Sequence, residues 1–153
     1  MYTGLLHLHS FLRYVLLFLI ILAIVRSIKG LLNKTPFEST DNKIGLFLMI
    51  TAHTQLLIGL FLYFISPFIQ VAMVRGMGFA MKDSILRFWA VEHIGGMIAA
   101  IALITMGRIL TKKAVNDQLK HKRTVLFYTL AFLLIMMLIP WPTLLVGEGR
   151  GWF

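Results

Sequence analysis

Four long apolar segments dominate the 153-residue chain, at about 5–28, 44–66, 85–108 and 124–146. A helix of about twenty apolar residues is long enough to cross the hydrocarbon core of a membrane. Because lipid offers the backbone no hydrogen bonds, such segments cross as helices. The sequence therefore predicts an all-α membrane protein. We expect residues 1–153 to form a single domain, an up-down-up-down bundle of four transmembrane helices joined by short loops.

The third segment is unusual because it places Glu92 and His93 inside an apolar run. Ionisable groups within a membrane are costly unless they are paired or bind something, so they predict function. Small residues share the helical face of His93: Ala90, Gly96, Ala100 and Gly107. They leave room either for a flat ligand or for the backbone of a neighbouring helix.

Helices 1 and 2 carry further polar groups. His9 and Arg13 are four residues apart and share a face of helix 1. At 1.5 Å per residue, His9 and His93 lie roughly level, and His53 lies about a turn and a half away from them. Helices 1 and 3 are diagonal in a square bundle, so His9 and His93 are placed to reach the two faces of one porphyrin. Arg13 or Arg87 would supply a positive charge for its carboxylates.

Other pairings stay open at this stage. His53 and His93 on adjacent helices form an alternative ligand pair, if helix tilt closes the difference in depth. If His53 is not a ligand, it belongs to a second site, a quinone pocket shared with Gln55 or Tyr63. The simplest alternative is that each histidine only hydrogen-bonds a helix carbonyl across the bundle.

Several smaller features have simple interpretations. Arg13 and Glu92 lie at similar depth and predict a mutual ion pair. His121 lies among basic residues, which predicts a solvated surface group. Pro140 and Pro142 predict a kink or an end in helix 4. Three tryptophans predict a belt at the outer membrane interface: Trp89, Trp141 and Trp152.

Methionines recur at Met73, Met77 and Met81, which predicts a short amphipathic helix on the membrane surface. Thioethers also suit Cu(I), which gives a weaker metal-handling hypothesis. The chain has no cysteine, and this excludes disulfides, iron–sulfur ligation and covalent haem attachment.

The distribution of basic residues predicts an orientation. Loops 1–2 and 3–4 share one side and hold ten of them: Arg26, Lys29, Lys34, Lys43, Arg108, Lys112, Lys113, Lys120, Lys122 and Arg123. The opposite side holds four: Arg75, Lys82, Arg87 and Arg150. Because cytoplasmic loops are enriched in basic residues, we expect both termini outside. The two basic loops carry most of the net charge of +9, and no nucleic-acid partner is expected.

Four short motifs carry a resemblance: HLHSFLRY at 7–14, AHTQLLIG at 52–59, VEHIGG at 91–96 and IPWP at 139–142. Together they resemble a family of small bacterial four-helix membrane proteins known as cytochrome b, and more distantly the halves of haem A synthase. The resemblance implies haem b and electron transfer in a bacterial inner membrane. By this resemblance, His9, His53 and His93 are the candidate haem ligands, and His7 is a weaker candidate.

Three functions compete at this stage. The first is a b-type cytochrome with a bis-histidine haem that exchanges electrons with quinol or a respiratory partner. The second is a non-catalytic subunit or assembly factor of a larger respiratory complex, with the histidines as structural contacts. The third is a transporter that uses Arg13, Glu92 and the methionines. Partners are expected to be the lipid bilayer and either other membrane subunits or further copies of the chain. No nucleophile–base arrangement or phosphate loop indicates a hydrolase or kinase.

Overall fold

The computed structural model describes residues 2–147, and within that range the chain forms helices and no strand. In chain order the elements are α1 (Tyr2–Asn33), α2 (Ser39–Ile65), α3 (Pro67–Arg75), α4 (Met77–Ala80), α5 (Ser84–Arg87), a π-helix (Phe88–Glu92), α6 (His93–Lys112), α7 (Asp117–Leu138) and a 3-10 turn (Leu145–Gly147).

Four of these stretches are long and apolar enough to span a membrane: α1, α2, the continuous stretch Ser84–Lys112 and α7. We call Ser84–Lys112 the third span. The prediction of an all-α four-helix membrane bundle is confirmed. α1 packs against α2 and α7, and the third span packs against the same two helices. The first and third spans are therefore diagonal across the bundle.

The last long helix differs from its predicted bounds of 124–146, since α7 runs over Asp117–Leu138. It begins earlier because the side chain of Asn116 accepts a backbone N–H of the first turn at 2.8 Å and caps the helix. It ends earlier because Pro140 and Pro142 have no N–H with which to continue the helix. The expectation that these prolines would kink or end the helix is borne out.

The middle of the bundle is a buried apolar layer contributed by all four spans. Its fully buried members include Ile20, Leu48, Ala100, Ile104 and Ala131. Glycines on the third span let α7 approach closely: a Cβ added to Gly107 would stand 2.6 Å from Cβ of Phe127, and one on Gly96 would clash with Leu138. Of the two interpretations of the small-residue face, helix packing therefore applies at both glycines.

One end of the bundle, which we call the basic end, carries the loops 34–38 and 113–116. Polar side chains at this end form hydrogen bonds and ion pairs between the spans. Arg26 donates to Asp41 at 2.6 Å and to Glu38 at 3.2 Å, which joins α1 to the start of α2. Arg108 is only 5% exposed, and its Nη1 donates to Oδ1 of Asn42 at 2.6 Å. These bonds fix three of the four spans at this end.

The prediction that His121 is a solvated surface group is wrong, because its side chain is 1% exposed. Since α7 begins at Asp117, residue 121 lies one turn inside the helix rather than in a loop. Its ring lies directly over the backbone of Gly30 and 5.0 Å from the ring of Phe37. The histidine is therefore part of the contact between α1, α7 and the loop after α1.

The methionine segment forms two short helices, α3 and α4, rather than one amphipathic helix. The break falls at Gly76, whose φ of +88° is a conformation that side-chain-bearing residues rarely adopt. Met73, Met77 and Met81 are all exposed.

Candidate functional site

A cavity of about 330 Å³ lies at the end of the bundle opposite the basic end, and we call this the cavity end. Its volume is within the range of small-molecule sites. All four spans contribute to its wall, which is mostly apolar. Polar side chains also line it: His9, Arg13, Gln55, Tyr63 and His93. Two histidines on diagonal helices therefore line one interior space.

His93 is held by a specific hydrogen bond, with its Nδ1 2.8 Å from the carbonyl oxygen of Leu138. A carbonyl only accepts, so Nδ1 carries the proton, and the lone pair of the neutral ring is on Nε2. The carbonyl is available because Pro142, four residues later, has no N–H to give it. This is the carbonyl contact that the simplest interpretation predicts, and it is also how ligating histidines are usually oriented.

The π-helix Phe88–Glu92 comes directly before His93 and was not predicted. Its wide turn is seen in the N–H of His93, which bonds to the carbonyl of Phe88 five residues earlier. Tyr63 of α2 donates its hydroxyl to the carbonyl of Ala90 inside this turn, at 3.1 Å. Short π segments occur frequently at functional sites. No residue type is specific for a π turn, so this π-helix could not be predicted from the sequence.

His9 lies against α2 at Gly59, where a Cβ would stand 3.1 Å from Cε1 and 3.7 Å from Nδ1 of the histidine. No other atom of His9 comes within 4 Å of that position, so the ring turns its Nδ1–Cε1 edge toward α2. Nδ1 is buried and has no hydrogen-bond partner in residues 2–147. An unsatisfied buried polar atom costs about 1–3 kcal/mol, so such an atom beside a cavity calls for an explanation.

Gln55 lies one turn before Gly59 on α2 and joins it to α1. Its Nε2 donates to the backbone carbonyl of His9 at 2.9 Å. Its Oε1 is buried and, like Nδ1 of His9, has no partner within the described range. The sequence analysis placed Gln55 with His53 in a possible quinone pocket, but Gln55 lines the cavity and His53 does not.

The two predicted arginines lie in different places. Arg13 is half-buried at the cavity, where it donates to the hydroxyl of Tyr14 at 3.2 Å and lies 6.0 Å from the ring of Trp141. Arg87 does not line the cavity, and its Nε pairs with Glu92 at 2.6 Å. Glu92 therefore pairs along its own span rather than with Arg13 as predicted.

His53 lies outside the cavity, on an exposed face of α2. Its Nδ1 is 2.8 Å from the carbonyl of Met49, one turn earlier in the same helix. His7 is also exposed, but it lines the rim of the cavity. The structure thus brings His9, Gln55 and His93 together and leaves His53 apart from them.

Trp89 and Trp141, two of the tryptophans predicted to form an interface belt, make specific contacts within the protein. Trp89 lines the cavity, with its ring centre 5.5 Å from that of His93 and 5.9 Å from that of Phe68, on which it stacks. Trp141 donates to the carbonyl of Met136 at 3.2 Å. Trp152 and Arg150 lie outside the described residues.

No cluster of three or more histidine or carboxylate side chains able to hold a bare metal ion occurs between residues 2 and 147. A metal that is already held by an organic cofactor would need fewer ligands from the protein.

The fold and site define a class: an integral membrane four-helix bundle with a cavity at one end and a histidine on each of two diagonal spans. No family model, curated protein or solved structure matches the chain. Its function is therefore inferred from its own residues.

Proposed function

We propose that the protein is a b-type cytochrome that binds one haem b through His9 and His93 and passes electrons within the membrane. The supporting observation is that these two histidines, from diagonal spans, line the same mostly apolar cavity. The haem, when bound, supplies a centre that gains and loses one electron.

The residues at the cavity fit this group in three ways. Nδ1 of His9 is a buried ring nitrogen without a partner in the described structure, so the fold alone does not fix the orientation of this ring, as expected of a ligand that is oriented on binding. Gly59 has no side chain, which lets the ring of His9 lie against α2 at the wall of the cavity. Arg13 at the same cavity offers a cation for the carboxylates of the porphyrin.

The chain's own groups would perform separate tasks. The Leu138 carbonyl keeps the proton of His93 on Nδ1, so that Nε2 would be the atom that holds the haem. Apolar side chains from three spans exclude water and so influence the redox potential: Leu56, Met97, Ile101 and Ile135. The electron partner would be quinol or a respiratory protein that approaches the cavity end.

The test is the reduced-minus-oxidised absorption spectrum of the protein purified in mild detergent after expression with ample haem. We expect a haem b spectrum, and we expect His9→Ala and His93→Ala each to abolish it. His53→Ala is the matched control, because this side chain faces away from the cavity. Full haem content in both cavity variants, or its loss only in the control, would remove the proposal.

A second candidate is a non-catalytic subunit of a larger membrane complex. The observation that favours it is His53, a polar side chain exposed on a span whose surface is otherwise mainly apolar. A polar group facing lipid is costly, and a polar group of a partner helix would offset that cost. This candidate predicts a cofactor-free protein that co-purifies with a partner, and dissociation of that complex by His53→Leu in native mass spectrometry.

A further inference from the structure

We infer that Gln55 is the positioning residue for His9: its Oε1 accepts the Nδ1–H of His9 and so directs Nε2 of that ring to the iron. This inference rests on the proposed function and assigns a role to a residue outside the ligand pair. It follows from the unpartnered atoms, from the way in which Gln55 is anchored, and from a comparison with His93.

The unpartnered atoms complement each other. Among buried side-chain oxygens of residues 2–147, Oε1 of Gln55 is the one without a hydrogen-bond partner. Nδ1 of His9 is a buried ring nitrogen in the same condition, and both residues line the same cavity. An amide oxygen can only accept, whereas a ring nitrogen can carry a proton and donate it. A bond between them would satisfy both atoms.

The anchoring of Gln55 keeps its amide next to residue 9. Its Nε2 already donates to the backbone carbonyl of His9 at 2.9 Å, and its Oε1 is the amide atom that has no partner. Gly59, one turn further along α2, receives the Nδ1–Cε1 edge of the ring. Residues four apart share a helix face, so the edge that carries Nδ1 lies on the same side of α2 as Gln55.

The comparison with His93 shows what is missing at His9. His93 gives its Nδ1–H to the carbonyl of Leu138, which leaves the lone pair on Nε2. Histidines that bind metals almost always donate their second ring N–H to such an acceptor, which orients the ring and raises its basicity. His9 lacks this bond in the described structure, and Gln55 offers the acceptor.

The experiment measures haem dissociation, the midpoint potential and the low-spin spectrum of three variants. Gln55→Leu removes the acceptor at similar size, and Gln55→Glu replaces it with a stronger, charged acceptor. Gln70→Leu is the matched control, because Gln70 is exposed on α3 and does not line the cavity.

We expect Gln55→Leu to weaken haem binding by about 10- to 100-fold and to raise the potential, since a less basic ligand stabilises ferric iron less. Gln55→Glu should keep the haem and lower the potential below that of the wild type. The control should match the wild type. Opposite shifts from two variants of one residue are not expected of a side chain that only packs.

The outcomes separate the two proposals. If wild-type haem depends on His9 and His93 but neither Gln55 variant moves the potential, or both move it in one direction, the role of Gln55 is wrong and the cytochrome stands. If Gln55→Leu does not fold, Gln55→Glu alone decides, because an unchanged potential there overturns the inference. If the wild type binds no haem, both proposals fail.

Discussion

Histidines lie inside both ends of this bundle, and their surroundings differ. At the cavity end, His9 and His93 lie beside about 330 Å³ of space, and His93 is oriented by a backbone carbonyl. At the basic end, His121 is enclosed between Gly30 and Phe37, and neither ring nitrogen has a partner among the described residues.

The comparison shows that a histidine nitrogen can lack a hydrogen-bond partner for two different reasons. Beside a cavity, an unsatisfied ring nitrogen indicates a ring whose hydrogen bonds are completed when a ligand binds, because there is room for a ligand. Where the ring lies directly on the backbone of Gly30, there is no such room, and the missing bonds are a cost of packing. Burial of a histidine alone therefore does not identify a site.

The largest effect is expected from filling the cavity end at Gly59. A Cβ there would already press on Cε1 of His9 at 3.1 Å, so Gly59→Leu should displace the ring and reduce haem content by at least roughly tenfold. Haem content is measured from the absorption spectrum of the purified protein. The matched control is Gly95→Leu, because nothing lies within 4 Å of a Cβ at that position. Equal haem in both variants would contradict the assignment of the cavity.

The next effect concerns the packed part of the bundle. Gly107→Ala places a methyl group 2.6 Å from Cβ of Phe127, and such overpacking typically costs about 1–3 kcal/mol. Thermal unfolding in detergent should show a lower Tm, with haem content per folded protein unchanged. Gly95→Ala is the control and should be neutral or slightly stabilising. If Gly107→Ala instead removes haem without changing Tm, the two ends are not independent.

A smaller effect is expected at His121. Replacing this enclosed ring by an apolar side chain removes two unsatisfied nitrogens, so His121→Leu should be neutral or stabilise the fold by about 1 kcal/mol. Chemical denaturation in detergent measures the change, and the haem spectrum should be unaltered. A loss of several kcal/mol would mean that this ring makes a bond essential to the fold.

The smallest effect is expected at His53, which faces outward from α2. His53→Leu should change stability by no more than about 0.5 kcal/mol, as is usual for surface positions, and leave haem content unchanged. Spectroscopy and thermal unfolding check both statements. Loss of haem would make His53 a ligand after all, and dissociation of a larger complex would favour the second candidate.

The sequence predicted the bundle well, because a membrane span is defined by its length and hydropathy alone. It also placed His9 and His93 at one level on diagonal helices, since depth follows from counting residues along a helix. Both residues do line one cavity in the structure. Whether they bind a haem stays a prediction.

Other features of the structure could not be predicted from the sequence, for physical reasons. Lipid is as apolar as a protein core, so hydropathy does not reveal that Gln55 faces inward while His53 faces outward. The π turn before His93 depends on tertiary contacts such as the bond from Tyr63 to Ala90. The burial of His121 depends on where α7 begins, and helix boundaries are the least certain part of a sequence-based assignment.

The most direct test of the central claim is a haem titration of the purified, haem-depleted protein, followed by absorption and electron paramagnetic resonance spectroscopy. Two imidazoles at one cavity predict saturation at one haem per chain with a six-coordinate, low-spin iron. His9→Ala should then give a five-coordinate, high-spin iron wherever haem is retained. A titration that never saturates, or a low-spin spectrum that survives in both His9→Ala and His93→Ala, would contradict the claim.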